Sequence, residues 1–369
     1  MKTGPIVRGR SFFLRHKGIH TYILISAALL AALIAVRPLT DLVEAFNTYA
    51  ALPVKQALAR ICDVVPYSVG EISVILMIAG SIVYIIAAIR DVIRAKNKKT
   101  VLYRRFMIAV CAVLTLAVLL ELSLSAGNFA RSFQYKSGIT GQKSHVITLY
   151  EVTVDFARAA SRAGALVKRD ADGVFDEDLD DIISGSKGIY DGIETLFPFL
   201  NMHDVRPKKV IFSKLMSRAG YTGFYFPLTG EANINIDCPR CLIPSTIAHE
   251  FAHQRGVAYE NEANFVAILA CTLSDSEPYI YSGWLLGYIY LSNALYKQDT
   301  ELWAKASEAL SEEVLADLAA NRAYWAKFED TTISKVSDAV YESYLKSKGQ
   351  ELGLQSYGAV VDPLIAYYS

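Results

Sequence analysis

"HEFAHQRGVAYENEANF", residues 249–265, places two histidines four residues apart and a glutamate directly after the first. If residues 245–255 form a helix, His249 and His253 lie on one face, where both imidazoles can reach a single metal ion. Glu250 lies about 100° further around the helix, beside that face. From there its carboxylate can hold a metal-bound water molecule and accept its proton. The spacing therefore predicts a zinc site with His249 and His253 as ligands and Glu250 as general base.

A catalytic zinc ion needs a third protein ligand, and two glutamates compete for this role. Gly256 can end the first helix in a left-handed conformation, so that a second helix begins near residue 259. On that helix Glu260, Ala263 and Asn264 share one face. Glu260 is the preferred third ligand, while Asn264 is expected to hydrogen-bond a ligand imidazole. Glu262 lies on another face and remains the alternative ligand.

Short β-prone runs precede the histidine helix. They are KKVIF (208–212), GFYFPLTG (223–230) and EANINI (231–236), and they predict a small sheet with a turn at Gly230. The segment 243–256 is expected to be helical, with Pro244 near its first turn and Ser245 or Thr246 as its cap. Most of the remaining chain, from residue 262 onward, is predicted to be helical.

Three long apolar stretches lie in the first third of the chain, at residues 21–36, 72–89 and 106–120. A helix of about 20 residues crosses the hydrocarbon core of a bilayer, so each stretch predicts a membrane-spanning helix. No small-residue cleavage site follows the first stretch, which is therefore expected to be retained. Glu121 directly follows the third stretch and is expected to lie hydrated at the membrane interface.

Basic residues are distributed unevenly around these stretches. Five lysines and arginines lie in residues 2–17 and seven in residues 90–105, whereas residues 38–71 hold only Lys55 and Arg60. The positive-inside rule places the first two segments in the cytoplasm. Residues after about 127 then lie outside, so we predict a multi-pass protein of the cell membrane with a cytoplasmic N-terminus. Its membrane domain covers residues 1–127, and an extracytoplasmic domain covers residues 128–369.

Composition agrees with this division. The chain has 369 residues, a mean hydropathy of +0.27 and 20% charged residues, which suggests an apolar part joined to a globular part. Its 37 basic and 37 acidic residues balance, so no nucleic-acid partner is indicated. The expected partners are the lipid bilayer and a peptide or protein substrate.

A further uncharged run at residues 279–296 contains serines, an asparagine and several tyrosines, and we expect it to be a buried helix rather than a fourth span.

The motifs HEFAHQRG and ENEANFVA together resemble the gluzincin peptidases, in which the HExxH helix is followed by an E-x-x-A-(D/N) helix. The CAAX-prenyl-protease-like membrane peptidases have a similar second helix. With GFYFPLTGEANINIDCP, LQSYGAVVD and the three N-terminal spans, the chain more closely resembles an uncharacterised bacterial family of membrane-anchored, zincin-like proteins, a family of unknown function. The resemblance covers nearly the whole chain.

This resemblance implies a mainly α fold, with three transmembrane helices and an α+β zincin-like metallopeptidase domain that contains a small sheet. It implies His249, His253 and Glu260 as ligands and Glu250 as base, but no particular substrate. The gap between His253 and Glu260 is much shorter than in thermolysin-like enzymes, which leaves the choice of third ligand open.

Two further roles are expected from the zincin resemblance. An edge strand before the histidine helix pairs with an extended peptide, and GFYFPLTGEANINI is the candidate. A donor must also stabilise the oxyanion that develops during hydrolysis, and Tyr225, Tyr357 and Arg255 remain equal candidates.

The cysteine pair Cys238 and Cys241 forms C-P-R-C shortly before His249. A disulfide is chemically possible outside the cytoplasm, and two free thiols are the alternative. His145 and His203 stand alone and are expected to be structural or exposed.

The predicted function is zinc-dependent hydrolysis of peptide bonds by a membrane-anchored metallopeptidase. A zinc-bound water, activated by Glu250, attacks the carbonyl. One alternative is a catalytically silent zinc-binding sensory or scaffold protein of the membrane. Another is a purely structural membrane protein in which the histidines join a buried polar network. Glu250 favours the enzyme, because zinc binding alone does not require this residue.

Overall fold

The structure is a computed structural model that describes residues 15–141, 144–347, 350 and 359–369. Within these residues the chain is mainly helical. The α-helices are α1 (Lys17–Val36), α2 (Thr40–Phe46), α3 (Leu52–Cys62), α4 (Val69–Arg94), α5 (Lys98–Leu120), α6 (Ala126–Asn128), α7 (Phe133–Ser137), α8 (Val146–Gly164), α9 (Leu179–Ser184), α10 (Asp191–Leu196), α11 (Ser213–Arg218), α12 (Ile243–Gln254), α13 (Glu260–Thr272), α14 (Glu277–Gln298), α15 (Thr300–Ser307), α16 (Glu312–Trp325), α17 (Thr332–Ser347) and α18 (Val361–Tyr368). Two π-helical turns lie at Asn47–Ala51 and Glu121–Ser125, and 3-10 turns lie at Pro198–Leu200 and Arg240–Leu242.

The described chain contains three helices that are long and apolar enough to cross a membrane, at the positions of the three predicted spans. They are α1, α4 and the helix that begins with α5 and continues past Glu121. Their most apolar windows bury only 6%, 0% and 6% of their residues within the chain. Apolar side chains that face no protein are suited to lipid. The protein is therefore compatible with membrane anchoring through its N-terminal part.

Glu121 was expected to be hydrated, and this prediction is wrong. Its side chain is only 7% exposed. Both carboxylate oxygens accept hydrogen bonds from the Arg37 guanidinium, from Nε at 2.7 Å and from Nη2 at 2.7 Å. A bidentate pair of this kind stabilises both charges away from bulk water. Arg37 directly follows α1, so the pair joins the C-terminal end of α1 to the C-terminal end of α5.

The core of the downstream domain consists of α8, α12, α13 and α14. Residues 279–296 lie in α14, where Tyr279, Tyr281, Leu291 and Leu295 are fully buried. This confirms the prediction of a buried helix for this uncharged run. Gly287 allows the close approach of α8, because a Cβ at this position would lie 2.2 Å from Phe156 Cε1.

A small sheet lies beside α12 and has the strand order β1-β3-β2. Its strands are β1 (Lys208–Lys209), β2 (Gly223–Phe226) and β3 (Glu231–Ile234). β3 pairs in parallel with β1 and antiparallel with β2. Gly230 adopts a φ of 70° in the turn between β2 and β3, as predicted. β2 therefore lies at one edge of the sheet.

Cys238 and Cys241 are free thiols, which is one of the two states that the sequence left open. Burial raises the pKa of Cys238 to about 12.

The lone histidines His145 and His203 are structural or exposed, as expected. His145 caps α8 through Nδ1, which accepts a hydrogen bond from the Ile147 amide at 3.3 Å, and His203 is exposed.

Residues 40–62, between the first two spans, fold against the downstream domain. Gly230 lies against the α3 backbone, because a Cβ at this glycine would lie 2.3 Å from Lys55 O. Leu52 packs against Gly256 in the same way. The buried Lys208 ammonium donates to the carbonyls of Cys62 at 3.2 Å and Val65 at 2.6 Å. Contacts thus cross the predicted boundary at residue 127, which the sequence pattern did not indicate.

Two buried carboxylates join the sheet region to the first turn of α4. Glu231 accepts hydrogen bonds from the amides of Val69 at 3.1 Å and Gly70 at 2.7 Å. In return, Glu71 accepts from the amides of Ile211 at 2.8 Å and Phe212 at 2.9 Å. The first amides of a helix lack intrahelical partners and favour an anion, so Glu231 caps the second span. The downstream domain is docked on the membrane helices rather than tethered by a flexible linker.

We predict that Glu231→Gln destabilises the whole protein. An amide keeps one oxygen acceptor but presents its NH₂ group to a backbone N–H that needs an acceptor. The expected loss is about 2 kcal/mol of unfolding free energy, or about 5 °C in melting temperature. Thermal unfolding of the detergent-solubilised protein measures this.

The matched control is Glu151→Gln, because Glu151 is exposed in the middle of α8. Equal melting temperatures for the two variants would show that the Glu231 cap contributes nothing.

Candidate metal centre

Helix α12 carries the H-E-x-x-H motif. It begins at Ile243 with Pro244 in its first turn, as predicted, but neither Ser245 nor Thr246 caps it. The Ser245 amide instead donates to Ser282 Oγ at 3.0 Å on the neighbouring α14. The N-terminus of α12 is therefore satisfied by a distant side chain rather than by a local cap.

The turn after α12 returns the chain toward the histidines. Gly256 has a φ of 88°, a left-handed conformation that favours glycine, so the predicted helix end is confirmed. Helix α13 begins at Glu260. The turn is also bonded to the short helix that follows the third apolar helix, because the Tyr259 hydroxyl donates to Asn128 O of α6 at 3.2 Å.

Three candidate ligand atoms converge between α12 and α13. His249 Nε2 lies 3.1 Å from His253 Nε2 and 3.2 Å from Glu260 Oε2. The distance from His253 Nε2 to Glu260 Oε2 is 3.7 Å. Ligand atoms about 2.05 Å from a tetrahedral zinc ion lie about 3.4 Å from one another. The three observed distances bracket this value, so the cluster has the dimensions of a zinc site.

The far sides of both imidazoles are held by oxygen acceptors. His249 Nδ1 lies 2.9 Å from Asn264 Oδ1, the contact that the sequence predicted for Asn264. His253 Nδ1 lies 2.7 Å from Val257 O. Each Nδ1 therefore carries a proton, which leaves the lone pair of each Nε2 directed at the cluster. This arrangement orients both rings for a cation.

The two competing glutamates point to different places. Glu260 Oε2 faces the histidines, while its Oε1 accepts a hydrogen bond from the Tyr341 hydroxyl at 2.7 Å. Glu262 instead accepts from the amides of Phe133 at 2.8 Å and Gln134 at 3.0 Å, at the start of α7. Residues that are two positions apart in a helix project about 200° apart around its axis, so Glu260 and Glu262 point in nearly opposite directions. The geometry thus favours Glu260 over Glu262 as the third ligand.

The charges of the cluster are strongly coupled. Burial alone would raise the pKa of Glu260, but His253 and His249 reverse this and hold it well below its usual range. Burial alone would lower the pKa of His253, but the Glu260 carboxylate outweighs it and raises the pKa to about 9. Without a metal ion the Glu260 carboxylate therefore favours a proton on His253.

Glu250 lies beside the cluster on the side of β2. Its side chain is 4% exposed, and burial raises its pKa to about 7. Its Oε2 has no hydrogen-bond partner within the part of the chain that the structure describes. Gly223 makes room for this carboxylate, because a Cβ there would lie 2.7 Å from Glu250 Oε1. A buried acid with a free oxygen, close to the candidate ligands, is suited to proton transfer.

The structure separates the three candidate oxyanion donors. Tyr225 on β2 lines the cavity at the cluster, and its hydroxyl has no partner among the described residues. Arg255 is directed elsewhere, since its Nη2 donates to Glu194 at 3.0 Å and Asp204 at 2.6 Å. Tyr357 lies outside the described residues. Tyr225 is therefore the candidate that faces the cluster.

A cavity of about 690 Å³ contains the cluster. Its walls include β2, α12 and α13, and also Lys55 of α3. Lys55 is 7% exposed and forms no carboxylate ion pair with any described residue. Burial lowers its pKa to about 8. Local spacing did not indicate Lys55 or Tyr341 at this site, because both lie far from the histidine motif in the chain.

The chain belongs to a family of unknown function. A family model described as "Protein of unknown function (DUF3810)" matches residues 47–365, most of the chain. This confirms the expected membership of an uncharacterised family, and it assigns neither a fold nor an activity. No curated protein and no solved structure matches the chain.

We predict that Lys55→Met stabilises the protein at neutral pH and loses this advantage at high pH. Because the folded-state pKa is about 8 against an ordinary value of 10.5, unfolding takes up a proton between these two pH values. The free energy of unfolding of the wild type therefore rises with pH across that window. The methionine variant has no ammonium at this position and lacks this rise. The expected gain below pH 8 is about 3 kcal/mol.

Unfolding in detergent near pH 7 and near pH 10 measures both values. Lys305→Met is the control, because Lys305 is exposed. A gain that is the same at both pH values would contradict the assignment of the effect to a buried ammonium.

Proposed function

We propose that this protein is a membrane-anchored zinc peptidase with His249, His253 and Glu260 as metal ligands and Glu250 as general base. The observation that carries the proposal is the convergence of the three ligand atoms, all within 4.8 Å of one another, beside a buried glutamate. Two imidazoles and one carboxylate form a common ligand set of catalytic zinc, which leaves a fourth position open.

The surroundings of the cluster support a bound cation. Once each Nδ1 is protonated, both Nε2 atoms and Glu260 Oε2 are acceptors that face one another, so the site attracts positive charge, either a metal ion or a proton on His253. Three acceptors that face one another repel unless a cation or a shared proton lies among them. The Tyr341 hydroxyl, bonded to the other oxygen of Glu260, fixes which oxygen faces the histidines.

Zinc bound here would polarise the scissile carbonyl and lower the pKa of water. Glu250 accepts a proton from the attacking water, whose oxygen forms a bond to the carbonyl carbon. The C–N bond then breaks, and Glu250 delivers that proton to the leaving nitrogen. The Tyr225 hydroxyl is the proposed donor to the developing oxyanion, since it lines the same cavity without another described partner.

The cavity supports a peptide as the substrate class. β2 is an edge strand, so an extended peptide can pair with it along the cavity wall. The cavity volume of about 690 Å³ lies within the range of ligand pockets, roughly 300–1,000 Å³. Gly223 at the start of β2 lies against Glu250, which brings a peptide paired with this strand close to the general base.

We further propose that the catalytic domain lies outside the cytoplasm. The excess of lysine and arginine before α1 and between α4 and α5 supports this orientation. The cluster follows the third span in the chain and therefore lies on the opposite side from the N-terminus.

Zinc content tests the ligand set. We expect about one zinc ion per chain in the purified wild-type protein, a large loss in Glu260→Ala, and retention in Glu262→Ala. The matched pair is informative because both glutamates are buried in the first turn of α13. Elemental mass spectrometry after dialysis against a weak chelator measures the content. Well-folded wild-type protein without zinc would contradict the proposal.

Glu250→Gln tests the proposed base and separates an enzyme from a silent zinc-binding protein. We expect zinc content to stay unchanged while kcat/KM for a cleaved peptide falls by about 10²- to 10⁴-fold. A peptide library that is first screened with wild-type protein supplies the substrate. If Glu250→Gln cleaves as fast as the wild type, the observed hydrolysis does not come from this site.

A further inference from the structure

The cavity that contains the candidate metal centre is partly formed by a membrane helix. Leu120, Ser123 and Leu124, at the outer end of the third span, line the same cavity as His249 and His253. This part of the wall is mainly apolar and continuous with the span. The cavity that holds the cluster therefore extends to the end of this helix.

The strand beside the centre also ends at the membrane helices. β2 begins at Gly223, against Glu250, and ends at Phe226, which packs on Gly70 in the first turn of α4. A Cβ at Gly70 would lie 2.7 Å from Phe226 Cδ1. Three residue steps along a strand cover about 10 Å. The general base thus lies about that far from the outer end of the second span.

Exposed apolar side chains also lie beside the first turn of α4. Ile211 and Phe212 are bonded through their amides to Glu71 in the first turn of α4, yet their side chains are 61% and 52% exposed. Leu215 nearby is 55% exposed. Apolar groups held beside the end of a membrane helix are suited to the bilayer interface. This face of the domain is therefore suited to contact with a bilayer surface.

We propose that the substrate is a polypeptide anchored in the same membrane and cut in the segment that directly leaves the bilayer. This inference rests on the proposed peptidase function. A chain that emerges beside the third span passes Leu124, reaches the ligand cluster and extends along β2. A cleavage site far from the bilayer would have to fold back toward the membrane to enter from this side.

The distance of the cleavage site from the bilayer tests the inference. The purified full-length protein is placed in liposomes with model substrates that share one membrane anchor and one cleavable sequence. In one substrate the cleavable sequence lies about 5 residues from the anchor, and in the other about 25 residues, a difference of about 70 Å in extended reach. Both substrates have the same membrane concentration, so confinement alone favours neither.

We expect the near site to be cleaved faster by about tenfold or more. Equal cleavage of both sites, or faster cleavage of the distant site, would overturn the inference while the peptidase function stands. If the wild-type protein cleaves neither substrate faster than Glu250→Gln does, the peptidase function fails and the inference fails with it.

A matched pair of substitutions tests whether the substrate enters the cavity along the third span. Ser123 and Ser81 both lie in membrane helices and bond the carbonyl four residues earlier, but only Ser123 lines the cavity. We expect Ser123→Trp to slow cleavage of the near substrate by about tenfold with zinc content and melting temperature retained, and Ser81→Trp to leave all three unchanged. If Ser123→Trp cleaves the near substrate at the wild-type rate with zinc retained, the substrate does not pass this wall.

Discussion

The Glu231 carboxylate, bonded to the first amides of the second span, is the contact on which the arrangement of this protein depends. It accepts hydrogen bonds from backbone N–H groups that have no partner within the helix, at a helix N-terminus, where an anion is favoured. Thr229 donates to the same carboxylate at 2.7 Å. Because Glu231 begins β3, its position determines where β3 and its partner β2 lie relative to the membrane. The strand beside the metal centre is thereby attached to a membrane helix.

The candidate metal centre is braced by the β-hairpin and by residues near the apolar N-terminal helices. Gln254, at the end of the histidine helix, donates through Nε2 to Gly230 O at 2.7 Å, in the turn of the β-hairpin. The turn between α12 and α13 contacts Leu52 on one side and Asn128 on another. The cluster is therefore held between elements that belong to both parts of the chain. A candidate site held in this way from several sides is preorganised by the packing of these elements.

Local sequence patterns predicted the helices and most of the cluster, because helical spacing determines which side chains share a face. His249 and His253 follow from their four-residue spacing, and Asn264 from its one-turn distance to Glu260. The predicted cap of α12 was wrong because Ser282, a residue of another helix, satisfies the Ser245 amide. Glu121 was misjudged because its partner Arg37 lies 84 residues earlier.

Other determinants left no local pattern at all. Tyr341 lies 81 residues after Glu260, and Glu231 lies 162 residues after Val69. Such contacts depend on how helices pack, which spacing within one helix does not encode. For the same reason the sequence did not indicate that the third span lines the cavity.

X-ray absorption at the zinc K-edge of the purified full-length protein reports the atoms bound to the metal. With His249, His253 and Glu260 as ligands, we expect a shell of nitrogen and oxygen atoms at about 2.0–2.1 Å with the scattering pattern of two imidazoles and no sulfur. A sulfur shell at about 2.3 Å would assign the metal to cysteines such as Cys238 and Cys241 and contradict the proposed centre. A spectrum without imidazole scattering would contradict it equally.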